Sequence, residues 1–143
     1  MTADSLGSVS LVVPADVAYF RSVRLAVGGL ATLVGFDVEA IDDIRIGVDE
    51  LCGTLEESGD GSDLTFAIET RIGGSIRIVG STQHGGDDPE GARFEFSDQI
   101  LSVVADRHGF DVTGGVLQGW LERALVAADQ PGTAGDGTAA SRP

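Results

Sequence analysis

Asp43-Ile44-Arg45-Ile46-Gly47-Val48-Asp49-Glu50-Leu51-Cys52-Gly53-Thr54-Leu55 carries the clearest helical period in this chain. Extended back to Val38, its apolar positions 38, 41, 44, 48, 51 and 55 recur at spacings of three and four, which gathers them on one helical face. Asp37 is placed to cap the helix, and Ser58-Gly59-Asp60-Gly61-Ser62 ends it. At about 100° per residue, Ile41, Ile44, Val48, Leu51, Cys52 and Leu55 share one side, while Asp43, Gly47, Glu50 and Thr54 lie on another. Glu50 and Thr54 are one turn apart and look the same way. A carboxylate and a hydroxyl above a small residue suit the wall of a ligand cleft, but spacing alone favours a solvated polar face. Cys52 falls with the apolar set and reads as a small buried hydrophobe.

Upstream, Val17, Phe20, Val23, Val27, Leu30 and Val34 mark another helix, with Gly35 as its stop and Gly28-Gly29 either weakening it or admitting a close neighbour. Before it, Ser8 to Val13 alternates and meets Pro14, as a strand would. Downstream, Leu64, Phe66 and Ile68, a Gly73-Gly74 turn and Ile76-Arg77-Ile78 read as a β-hairpin. Gln83 to Gly91 is a polar loop. Arg93-Phe94-Glu95-Phe96 reads as a short extended piece, with Ser97 or Asp98 capping a third helix through Ile100, Leu101, Val104 and Arg107. Val116 to Leu125 fits a strand face through Leu117, Leu121 and Leu125, and a helix through Trp120, Leu121, Ala124 and Leu125; period leaves it open. From Ala127 to Pro143 there is almost nothing to bury, and a disordered tail is expected.

A chain of 143 residues with 42% hydrophobic content suffices for one packed core, so one domain over residues 8–126 is expected, with 1–7 as an N-terminal extension and 127–143 as a tail. No run reads as a membrane span and no secretory start is seen, so a cytoplasmic location is expected. The formal net charge of -14 repels polyanions, which argues against nucleic acid and anionic membranes, and it either steers in a basic protein partner or serves solubility alone. A single cysteine excludes an internal disulfide. Two histidines without a ligand cluster make a zinc site improbable, and no metal ligand is assigned.

The segment Asp43 to Leu55 resembles the N-box helix of the GHKL ATPase superfamily in its RsbW branch, the anti-sigma-factor serine kinases. The resemblance spans about residues 8–126 and implies an α+β, Bergerat-type two-layer sandwich, with a mixed, mostly antiparallel sheet and helices on one face. It also makes the open stretch from Val116 a strand. Glu50 matches the family's catalytic glutamate, which serves as general base or orients the attacking group. Four residues on, the family's asparagine, a magnesium ligand, is replaced here by Thr54. After the second hairpin strand, where the family reads adenine with an aspartate, this chain has Ile78-Val79-Gly80-Ser81-Thr82, and Ser81 offers one uncharged acceptor. Where the family has a glycine-rich phosphate lid, this chain has Arg93-Phe94-Glu95-Phe96-Ser97-Asp98, without glycine and with two carboxylates. Gly85-Gly86 reads as a displaced phosphate loop or, more simply, as turn glycines.

What the resemblance implies is therefore one retained catalytic residue, Glu50, with Gly47, Thr54 and Ser81 as the remaining candidates for contact with a nucleotide. Each lost hydrogen bond to a charged group costs about 1.5–3 kcal/mol, so three losses carry a micromolar site to about millimolar or weaker. The expectation is a regulator of a partner-switching circuit that binds a sigma factor or a STAS-type antagonist, with no cofactor. The alternative is an active serine kinase using ATP and magnesium through Glu50; a third reading keeps the fold with a different partner. RsbW-type proteins dimerise, and the alternating Val9, Leu11 and Val13 suggest a homodimer through the first strand.

Overall fold

The computed structural model describes residues 6–86 and 91–126. The elements run β1 (Leu6–Val13), a 3-10 turn (Val17–Tyr19), α1 (Phe20–Val34), α2 (Val38–Ser58), β2 (Leu64–Arg71), β3 (Ser75–Gln83), α3 (Ala92–Val104), β4 (Arg107–Thr113) and β5 (Val116–Ala124). The strands form one sheet in the order β1-β2-β3-β5-β4, and every pairing is antiparallel. Strand alternation sends Leu64, Phe66, Ile68, Ile76, Ile78, Leu117 and Leu121 to one face, all fully buried. The three helices cover that face, α1 and α2 over the centre and α3 over β4 and against α2. This is the expected α+β sandwich of two layers, with a sheet that is wholly antiparallel among the described residues rather than mixed.

Local chemistry sets the helix ends where the sequence marks them. Asp37 accepts a hydrogen bond from Ala40 N at 2.8 Å, satisfying a first-turn donor of α2. Gly35 ends α1 at φ 115°, a conformation that favours glycine. Under α2, Gly80 of β3 and Gly119 of β5 are register partners. A Cβ at Gly80 would stand 2.7 Å from Leu55, and one at Gly119 would stand 3.2 Å from Leu51, so this glycine pair makes the trough into which α2 settles.

Several expectations are corrected. β1 begins at Leu6, two residues before the expected boundary. Arg93-Phe94-Glu95-Phe96 is helical: α3 starts at Ala92 after Gly91, so Ser97 and Asp98 lie in its interior and cap nothing. The helical path wins because it aligns Phe94, Ser97, Leu101 and Val104 on one buried face, with Phe94 edge-on to Phe110 of β4. α3 stops at Val104, and Arg107 opens a strand that the sequence reading missed. β4 alternates His108, Phe110 and Val112 with polar residues, then turns through Gly114 and Gly115 at φ 60° and 80°, a primed turn that suits the hairpin twist. β5 settles the ambiguous stretch as a strand. Gly28 faces the Arg45 guanidinium rather than another backbone.

The window Val17–Val34 has mean hydropathy 1.3 and does meet the length and composition of a membrane span. In the fold it lies against the sheet and α2, with Val23, Val27 and Ala31 fully buried, and a core helix passes the same test. The expected tail from Ala127, and residues 87–90 of the polar loop, lie outside the described residues.

Candidate functional site

α2 and α3 run antiparallel, and the polar side of α2 turns toward α3 instead of toward an open cleft. Glu50 Oε2 accepts from Arg93 Nη1 at 2.6 Å and from Ser97 Oγ at 2.6 Å. Ser97 Oγ is also 2.6 Å from Thr54 Oγ1, and Arg93 Nη1 is 3.2 Å from Ser97 Oγ. Arg93 Nε lies 2.9 Å from Glu57 Oε1, an ion-pair contact in which the N–H does not point well enough for a hydrogen bond. Thr54 and Ser97 are fully buried, and the Glu50 side chain is 13% exposed. The two hydroxyls bond each other and Glu50 Oε2 takes both α3 donors, while Arg93 Nε is left with the Glu57 charge and no hydrogen bond.

Two glycines allow this approach. A Cβ at Gly53 would sit 3.0 Å from Arg93 Nη2, so the missing side chain makes room for the guanidinium. A Cβ at Gly47 would sit 2.7 Å from Leu121 and 3.3 Å from Val104, so Gly47 lets α2 close onto α3 and β5. Ser81 is elsewhere. On β3 it alternates with the buried Gly80 and Thr82, which sends its side chain to the helix-free face beside its register partners Thr65 and Gln118.

Of the four residues singled out from the sequence, Glu50 and Thr54 meet in one network, Gly47 is a packing position a turn away, and Ser81 lies across the sheet. This placement does not fit a magnesium nucleotide: the Thr54 hydroxyl is buried and occupied, Glu50 Oε2 is held by α3, and Ser81 faces the other way. Among the described residues no cluster of histidine, cysteine and carboxylate suits a metal ion. Cys52 is buried, and that burial, with the Asp49 charge adding to it, pushes its thiol up to about 12, so it is not a nucleophile.

Arg93 and Ser97 are the site residues that sequence reasoning missed. Reading 93–96 as extended separated them, although they stand four apart and Ser97 occupies an otherwise apolar series with Phe94, Leu101 and Val104. A serine in such a series signals a buried hydroxyl that needs a partner.

A separate constellation occupies the open sheet face. Arg77 lies over the Trp120 ring at 4.8 Å and pairs with Glu122 at 2.5 Å, and Arg107 approaches both from β4. Arg77, Arg107 and Glu122 border a cavity of about 310 Å³ together with Arg71, Arg123, Glu69 and Asp106, so arginines slightly outnumber carboxylates in its lining.

No protein-family model and no curated protein matches this sequence. Among solved structures, the chain is similar to the crystal structure of the RsbU and RsbW domains of a Mycobacterium tuberculosis protein, with a TM-score of 0.65 and 17% identity. The similarity covers 82% of this chain but 32% of the other, so the chain spans about a third of its neighbour. At that identity the likeness is one of fold.

Proposed function

We propose that the chain is a protein-binding regulator of the partner-switching kind, holding a sigma factor or a STAS-type antagonist, with little or no nucleotide chemistry. The observation that carries the reading is the clamp on Glu50. A general base accelerates a step only when a substrate proton lies within reach of a carboxylate oriented toward it, and here Arg93 and Ser97 hold Glu50 Oε2 against α3. The neighbour with RsbU and RsbW domains supports a regulatory fold of this type. The net charge of -14 favours a basic protein surface as partner, and a cytoplasmic location accords with such a circuit.

Calorimetry tests the reading. Mg-ATP is expected to bind more weakly than about 0.1 mM, since charge-assisted contacts are missing, and no phosphate is expected to pass to a STAS-type protein. Tight binding, or serine phosphorylation abolished by Glu50→Gln, would establish the kinase alternative instead.

A further inference from the structure

We propose that the groove between α2 and α3 docks a basic amphipathic helix of a partner protein; this rests on the protein-binding reading and assigns it a surface. α3 is apolar on two sides. Phe94, Leu101 and Val104 face the core, while Ala92, Phe96, Ile100 and Val103, spaced by four, four and three, form a second stripe away from it. Phe96 is 56% and Val103 is 81% exposed. A helix whose outer face meets only water ordinarily carries polar residues there.

The opposite wall belongs to α2. Glu50 meets Arg93 and Ser97, and Gly47 meets Leu101 and Val104, which fixes the antiparallel register. One turn from Glu50, Ile46 is therefore alongside Ile100, and it is 50% exposed. Glu39, Asp42 and Glu57 lie on the same flank of α2, all exposed; Glu57 also pairs with Arg93, and Asp42 lies 3.8 Å from Arg45. Between the walls the Arg93 guanidinium fills the space that Gly53 leaves.

An apolar strip beside an acidic wall matches a helix with one apolar face and a basic edge, the helix-in-groove mode of recognition. The charge argues against a second copy as occupant, because two acidic walls would then be brought together under a net charge of -14 on each chain. Anionic lipid is disfavoured on the same ground.

The probe is a synthetic helical peptide of leucine and lysine, about 18 residues or five turns long, titrated into the full chain by NMR. Shifts are expected to centre on Ile46, Phe96, Ile100 and Val103, and binding should weaken with salt. Phe96→Asp and Val103→Asp, both at exposed positions, should each cost at least about tenfold in affinity, while Leu25→Asp on α1 changes nothing. Glu39→Lys with Asp42→Lys should flatten the salt dependence, and a leucine-glutamate peptide of the same pattern should not bind. Shifts centred elsewhere, equal binding of the acidic peptide, no binding at all, or a self-association abolished by Phe96→Asp would each overturn the groove assignment. Tight Mg-ATP binding in calorimetry would instead sink the protein-binding reading itself, so the two failures are distinguishable.

Discussion

At the scale of single residues, the Glu50 carboxylate links two helices, so its removal is expected to act on stability. Glu50→Ala leaves Arg93 short of its nearest acceptor and Ser97 short of one partner, and should cost about 2–4 kcal/mol in urea unfolding. Combining it with Arg93→Met should recover part of that loss, because an apolar pair leaves no uncompensated charge. An unchanged midpoint in the single variant would mean that the clamp contributes nothing. Ser97→Ala strands the buried Thr54 hydroxyl and should cost about 1–3 kcal/mol. Cys52 supplies a pH signature. Burial, and after it the Asp49 charge, raises its thiol from 9.0 to about 12, so the unfolded chain loses the proton first as pH rises. The stability due to the neutral thiol is whole below about pH 9 and is lost from there up to about pH 12. Subtracting the unfolding free energies of a Cys52→Val variant across that window should reveal the fall; a flat difference would show that the native thiol ionises normally.

At the scale of elements, α3 owes its position to two glycines on α2 and to a hairpin beyond it. Gly47→Val drives a branched side chain into Leu121 and Val104 and should cost about 1–3 kcal/mol through overpacking. Its signature is loss of hydrogen-exchange protection in α3 ahead of β2 and β3. Uniform loss across the molecule would instead mean that α3 is not a separable unit. Gly114→Val tests the β4–β5 turn, where φ is 60° and a branched residue is strained by about 1–2 kcal/mol.

At the scale of the whole molecule, a net charge of -14 sets the background for every measurement. Self-repulsion within the compact state should be screened by salt, so the melting temperature should rise between about 10 mM and about 0.3 M sodium chloride. A fall would locate the dominant electrostatics in attractive pairs such as Arg93–Glu50. β1 lies at one end of the sheet order, with β2 on one side and no further strand beyond it among the described residues. Light scattering at high concentration decides whether that edge joins two copies. A chain ending at Val126 should melt within a few degrees of the full one, since the residues beyond have little to bury.

The sequence by itself determined what depends on local period and capping: α1 and α2, the Asp37 and Gly35 ends, the β2–β3 hairpin and one face for Glu50 and Thr54. Such features are written within a few residues, because side-chain spacing decides which face is apolar. Gly80 and Gly119 could not be read as partners, since their pairing crosses the sheet. The region after Gly91 misled because Phe94 and Phe96 suit a strand locally, and only the core that Phe110, Gly47 and Leu121 offer makes the helix the better burial. The identity of the site followed the same division. Glu50 was visible as a carboxylate on a polar face, but whether it met a ligand, water or another helix depended on what lay opposite. Tertiary structure placed Arg93 and Ser97 there, 43 and 47 residues along the chain, because only packing brings positions so far apart to hydrogen-bonding distance.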